Sequence, residues 1–242
     1  MEQLANSFSV LELDADDTHL PTIAGAGSSS NKRVNGNTDT LPVKNEKQDL
    51  QNLVTPSCEY KLPLVWIDLE MTGLNVEVDR ILEIACIITD GNLTKTVEGP
   101  DLVIHQTKEC LDRMGDWCQT HHAASGLTKK VLQSTIIEKE AEKQVIEFVK
   151  KYVGSYTPLL AGNSIYVDLQ FLKKYMPELA SLFSHVLVDV SSVKALCIRW
   201  YPKDQKKAPS KANRHRAMDD IRESIQELRY YKANIFKSKS RK

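Results

Sequence analysis

The stretch LVWIDLEM at residues 64–71 constrains the fold more than any other part of the chain. Strand side chains alternate with period two, so Val65, Ile67 and Leu69 share one face while Trp66, Asp68 and Glu70 share the other. Both faces carry large apolar groups, and a strand of this kind belongs in the interior of a sheet covered on two sides. Two carboxylates stand at the end of one face. A D-x-E pair is common on solvated strand edges, but in apolar surroundings adjacent carboxylates are costly unless a cation neutralises them.

The segments that follow supply the rest of the sheet. Strand-like runs lie near Leu64–Leu69, Ile81–Thr89 and Leu102–His105, with a turn signal at Gly91-Asn92, and three strands in succession predict an antiparallel meander. Helical patterns follow near Cys110–Thr120 and Glu138–Tyr152, the second with Ala141, Val145, Phe148, Val149 and Tyr152 on one stripe. A short strand at Leu159–Ala161 then runs through Gly162-Asn163-Ser164 into a helix near Ile165–Tyr175. A strand at Val186–Val190, a helix at Ser191–Trp200 and a long last helix at Ala217–Ile235 complete the chain. This order predicts an α/β fold in which a mixed central sheet of about five strands carries helices on both faces.

Residues 1–58 differ in character. The run TIAGAGSSSNKRVNGNTDT has no sustained apolar period and cannot bury enough surface to offset the entropy of ordering, so a disordered extension is expected there. Residues 59–236 form the expected folded domain, and 237–242 a basic tail. The 242 residues contain 41% hydrophobic and 26% charged side chains, enough for a core but with no apolar run approaching the length needed to cross a bilayer. No membrane partner is expected. Five scattered cysteines without a CxxC pair argue against a disulfide framework or a structural zinc site and point to a reducing compartment, with Cys86 in the core. The acidic N-terminus does not resemble an Arg-rich presequence, so a cytoplasmic location is expected, with mitochondria as the alternative. The formal net charge of zero hides an asymmetry: residues 203–242 carry 13 Lys and Arg against 5 Asp and Glu. Such a segment either attracts phosphates or is a solvated tail.

Two further segments carry acids. Asp168 falls in the first turn after the Gly162-Asn163-Ser164 junction, where it could simply favour the helix dipole. In HRAMDDIRESIQEL, at 100° per residue, Ala217, Ile221, Ser224, Ile225, Leu228 and Ile235 form one inward stripe. Asp220 lies about 70° from its centre and Asp219 about 170° away, so Asp220 borders the core and Asp219 faces water. His215 precedes this helix and can stand at the same rim; His121 and His122 are equally eligible on composition. Acids converging from separate elements suit Mg²⁺ or Mn²⁺ better than Zn²⁺. A pair of such ions about 3.5–4 Å apart can clamp the attacking and leaving oxygens of a phosphodiester. An imidazole with an ordinary pKa of about 6.5 can accept a proton from water near neutral pH.

Three motifs, WIDLEMTGL at 66–74, GNSIYVDLQFL at 162–172 and HRAMDDIRESIQEL at 215–228, together resemble the oligoribonucleases, a branch of the DEDDh 3′-to-5′ exonucleases with the RNase H-like fold. The resemblance spans about Leu62 to Phe236, and DLEMTGL is characteristic of this branch. It implies that Asp68, Glu70, Asp168 and Asp220 hold two divalent cations, Mg²⁺ or Mn²⁺, and that His215 is the general base. It further implies that Leu74 and Trp117 hold terminal bases of short single-stranded RNA, that Ser164 and Ser191 fix the far phosphate, and that the chain forms a homodimer.

One segment departs from the family pattern. Ser184-His185-Val186 stands where many members carry His-Tyr-Arg, whose Tyr, from the partner subunit, and Arg contact the substrate phosphate. His185 takes the tyrosine's place as a hydrogen-bond donor, while Val186 brings no charge, which implies a looser grip on the 5′ phosphate. The expected function is hydrolysis of short oligoribonucleotides to nucleoside 5′-monophosphates. A sister exonuclease trimming longer RNA or DNA is the alternative, supported by the basic loop Lys203–Lys211. A non-catalytic RNA-binding protein is a third reading, set against the retention of so many grouped acids.

Overall fold

Every residue of ILEIACIIT at 81–89 is buried, so this run can only be an interior strand. It forms β2 (Ile81–Thr89), which pairs antiparallel with β1 (Leu64–Met71) on one side and β3 (Thr96–Val103) on the other. Beyond β1 lie two parallel strands, β4 (Leu159–Gly162) and β5 (Leu187–Asp189), giving the mixed five-stranded order β3-β2-β1-β4-β5. The computed structural model describes residues 60–210 and 216–236. The extension expected over 1–58, the basic tail 237–242 and His215 lie outside the described residues.

The two faces of β1 sort into two cores as the alternation requires. Val65, Ile67 and Leu69 pack with Ala141, Val145 and Val149 of α4 (Glu138–Val153), Phe171 and Leu172 of α5 (Tyr166–Tyr175), and Leu179 of α6 (Pro177–Ala180). Trp66 packs on the opposite side with Val190 and Cys197 of α7 (Val190–Trp200) and with Ile221, Ile225 and Tyr231 of α9 (Ala217–Asn234). Each such fully buried side chain contributes about 1.5–3 kcal/mol, which secures the inward faces of α4 and α9 against the sheet. Cys86 lies in the first core, and Cys86, Cys110, Cys118 and Cys197 are all buried free thiols.

Several boundaries differ from the sequence reading. β3 begins at Thr96, six residues before the strand expected at Leu102, and ends at Val103 rather than His105. Its TVEGPDLV sequence hides it because the Gly-Pro step reads as a breaker. It is an edge strand, where proline is tolerated, and Gly99 and Pro100 bulge opposite Cys86. A Cβ on Gly99 would collide with the Phe148 ring, so glycine lets α4 close over the bulge. The helix expected at Cys110–Thr120 is broken into α1 (Lys108–Asp112) and α2 (Asp116–Ala124), and α3 (Leu127–Gln133) follows, unanticipated. Gly115 is the N-cap of α2, and the break lets Leu111, Met114, Cys118, Leu127 and Val131 converge on Leu82 as a third cluster. Val190 is helical rather than extended because the Asp189 carboxylate caps α7, accepting from the Ser191 N–H at 2.9 Å. A short α8 (Pro202–Gln205) follows α7. Among the described residues no helix is long and apolar enough to cross a membrane.

Candidate active site

On the Trp66 face of β1 the indole Nε1 donates to Thr89 Oγ1 at 3.0 Å and the ring seals the core. Two and four residues further on, Asp68 and Glu70 reach the end of that cover, where the first turn of α9 brings in Asp220. Carboxylate oxygens of Asp68, Glu70 and Asp220 lie within 4.8 Å of one another. The neighbours Asp219 and Asp220, which the helical phase separates, point to different partners. Asp219 turns aside, one-third exposed, to accept from Arg222 Nη1 at 2.8 Å.

Asp168 arrives from the other face. Its Oδ1 accepts the backbone N–H of Leu69 at 2.9 Å. β4 pairs with β1 only as far as Trp66, so this carboxylate satisfies an amide beyond the end of the parallel ladder. Burial pushes the Asp168 carboxyl up to about 7, partly offset by the hydrogen bond from Leu69. Glu70 is pushed up to about 8, first by burial and then by repulsion from Asp220, Glu83 and Asp168, with Arg216 acting in the opposite sense. Acids this close, desolvated and mutually repelling, are the reverse of a self-neutralising ion pair. Their oxygen-only chemistry fits a hard divalent cation.

His122, which composition left unranked, is buried beside this cluster. Its Nε2 lies 2.9 Å from the Met71 carbonyl, which makes Nε2 the donor, and its Nδ1 lies 3.9 Å from Glu70 Oε2. No sequence signal marked it, because α2 is weakly amphipathic and its buried side is set by the packing of α1 and α3. Glu83 and Arg216 also escaped notice and form an ion pair next to Glu70, in which Glu83 is fully buried and Arg216 partly exposed.

The residues expected to grip substrate lie on several elements. Ser164 and Ser191 meet: Ser164 Oγ lies 3.1 Å from Ser191 Oγ, while the Ser164 N–H donates to Asp189 Oδ1 at 2.9 Å. Ser164 holds φ +47°, a left-handed conformation that a side chain adopts only under constraint. Leu74 sits on the β1–β2 loop, which Asp79 organises by accepting from Thr72 Oγ1 and the Asn75 N–H, both at 2.8 Å. Trp117, half-buried at the start of α2, stacks on His121 with ring centroids 3.8 Å apart and planes inclined by 20°. His185 is exposed just before β5 and makes no hydrogen bond or ion pair among the described residues.

Residues 65–228 match the exonuclease family RNase_T. The chain is 63% identical to an oligoribonuclease of Arabidopsis thaliana over 239 residues, 99% of this chain and all of that protein. It is 52% identical to a mitochondrial oligoribonuclease of Homo sapiens over 176 residues, covering 73% of this chain and 74% of that protein. It is 49% identical to an oligoribonuclease of Pasteurella multocida over 180 residues, covering 74% and 97%. Among solved structures, E. coli exonuclease I in complex with a dA16 oligonucleotide superposes with a TM-score of 0.55 at 15% identity. A further structure of exonuclease I superposes with a TM-score of 0.53 at 14% identity, covering 72% of this chain and 41% of that one. These structures share the fold, whereas the oligoribonucleases are similar in sequence at 49–63% identity. The five-stranded sheet, the converging acids and the full-length similarity therefore lead to one assignment: the chain belongs to the oligoribonuclease family of exonucleases.

Proposed function

We infer that this protein is a 3′-to-5′ exoribonuclease that hydrolyses short oligoribonucleotides to nucleoside 5′-monophosphates. The observation that carries the reading is the meeting of Asp68, Glu70 and Asp220 within 4.8 Å, in a chain similar along its whole length to an oligoribonuclease. Asp68, Glu70, Asp168 and Asp220 would hold two divalent cations, Mg²⁺ or Mn²⁺. Such ions, when bound, supply Lewis-acid stabilisation of charge on the phosphodiester oxygens and lower the pKa of water.

The chain's own groups do the rest. The carboxylates stay ionised when a cation offsets their repulsion, and His215 accepts the proton of the attacking water. Leu74 and Trp117 grip terminal bases without reading their identity, because every base offers a face for stacking. Ser164 and Ser191, already hydrogen-bonded to each other, help fix the far phosphate, and His185 serves as a hydrogen-bond donor to substrate phosphate. Residues 59–236 are the catalytic unit, flanked by the 1–58 extension and the 237–242 tail. A homodimer is supported by the exposed apolar side chains Val186, just before β5, Leu196 and Trp200 on α7, and Tyr201 at its C-cap. A cytoplasmic location is proposed, with mitochondria, named for the mammalian relatives, the alternative that fractionation separates.

The test is incubation with labelled di- to pentaribonucleotides and Mg²⁺ or Mn²⁺. Shortening from the 3′ end with release of 5′-monophosphates is expected, and cleavage no greater than that of an Asp68→Ala control overturns the reading. A second reading, a preference for longer strands, is favoured by Val186 and by the basic segment Lys203–Lys211, which begins within α8. Higher turnover on a twenty-nucleotide than on a two-nucleotide substrate would establish it.

A further inference from the structure

Glu83 is a carboxylate with no exposure at all, on the strand beside Glu70 and opposite it in register. Directly paired residues of antiparallel strands point to the same face, so Glu83 shares the acidic end of the sheet with Asp68 and Glu70. Both of its oxygens are taken. Arg216 Nη2 lies 2.5 Å from Oε1, Arg216 Nε lies 3.2 and 3.1 Å from Oε1 and Oε2, and the Ala217 N–H reaches Oε2 at 3.4 Å. Asp101 and Asp219 stand near enough to add to the field on Arg216.

Arg216 is the N-cap of α9, with extended backbone angles, and its carbonyl accepts the N–H of Asp220 at 3.0 Å. Its side chain makes no N-cap hydrogen bond. The orientation of the helix start is set instead by a planar two-point fork into a rigid interior strand. One peptide unit before Arg216 in the sequence is His215, and four residues after it is Asp220. We propose that Glu83 and Arg216 are a positioning pair, neither binding metal nor touching substrate, that fixes where the chain enters α9 and thereby brings Asp220 onto Asp68 and Glu70. This deepens the proposed function and rests on it for the role of the acids.

The test compares Arg216→Lys, which keeps the charge and loses the fork, with Glu83→Gln, which keeps shape and loses the charge. Truncation to alanine is avoided because an orphaned buried charge can unfold the domain. Three quantities are read: Mn²⁺ affinity by calorimetry, Tm in chelator, and kcat and KM on a diribonucleotide. The expected result for both variants is Mn²⁺ affinity weakened about 10-fold or more and kcat lowered about 10-fold or more, the range seen when groups that orient metal ligands are altered. KM should stay within about 3-fold, because the substrate-gripping residues lie on other elements. A folded variant that keeps wild-type Mn²⁺ affinity and kcat overturns the proposal, as does a loss of activity that only tracks the unfolded fraction. If the wild type cleaves no RNA, the proposed function fails. Mn²⁺ affinity in the Glu83→Gln protein still decides the pair.

Discussion

The Asp168 carboxylate on α5 accepts the backbone amide of Leu69 on β1 at 2.9 Å, so an acid of the candidate active site also closes the hydrogen bonding of the central strand. Structure and chemistry are tied at one side chain. This makes the two separable by substitution.

Asp168→Asn keeps the acceptor for Leu69 and removes the negative charge. It should fold with at least wild-type stability and lose activity by about 10²–10³-fold, the loss corresponding to several kcal/mol of transition-state charge stabilisation. Asp168→Ala should lose activity equally and in addition cost about 1–3 kcal/mol of stability, because the buried Leu69 amide is left without a partner. Thermal melts beside turnover on a diribonucleotide check both; an Asn variant as unstable as the Ala variant would contradict the assignment.

The raised carboxyls of Glu70 and Asp168 give the metal-free protein an unusual pH response. Their folded pKa values, about 8 and about 7, exceed the ordinary 4.5 and 3.8, so the unfolded chain releases these protons first as pH rises. Stability from these groups is complete below pH about 4 and is lost progressively up to about 8, a decline of the order of a few kcal/mol. Melting in chelator should therefore show Tm falling between pH 5 and 8, and Mn²⁺ should reverse the fall. A Tm that climbs across that range in chelator would count against it.

The stacked pair Trp117 and His121 predicts graded effects on binding. Trp117→Ala should raise KM by an amount equivalent to about 1–3 kcal/mol of lost base stacking. His121→Ala removes the ring that backs Trp117, together with its hydrogen bond to the Trp117 carbonyl at 2.7 Å, and should raise KM by the equivalent of about 0.5–1.5 kcal/mol. In both, kcat should change less than KM, since neither residue belongs to the acid cluster. Steady-state kinetics on diribonucleotides of different base composition measure this.

Ser164 combines a left-handed backbone with a hydroxyl that meets Ser191. Ser164→Gly relieves the strain and should stay within about 1 kcal/mol of wild-type stability, whereas Ser164→Val adds a β-branched side chain at positive φ and should cost about 1–3 kcal/mol. Both should raise KM through loss of the hydroxyl. Equal KM values for wild type and the glycine variant would remove Ser164 from the substrate contacts.

Much of the fold was legible because its signals are periodic and local. The alternation in β1 separated Val65, Ile67 and Leu69 from Trp66, Asp68 and Glu70: the first three enter one core, Trp66 enters the other, and the two acids lie at its end. The phase of the last helix separated Asp220 from Asp219. The inward stripe of that helix was only partly right: Met218, Glu227 and Tyr231 are buried as well, and Glu227 is carried inside by its bond to the Tyr231 hydroxyl at 2.7 Å. A polar pair of that kind has no apolar period to reveal it.

What the sequence by itself determined, then, is which residues share a face of a strand or helix, since that follows from backbone repeat alone. The tertiary structure decided which faces meet. The fork of Arg216 into Glu83 joins positions 133 residues apart, the Asp168 bond to Leu69 spans 99, and the bulge at Gly99-Pro100 exists only because β3 runs along the edge of β2. No periodicity encodes such pairings. They arise from the packing of α4, α5 and α9 on one sheet, where buried polar groups accept whichever partners the completed fold brings within reach.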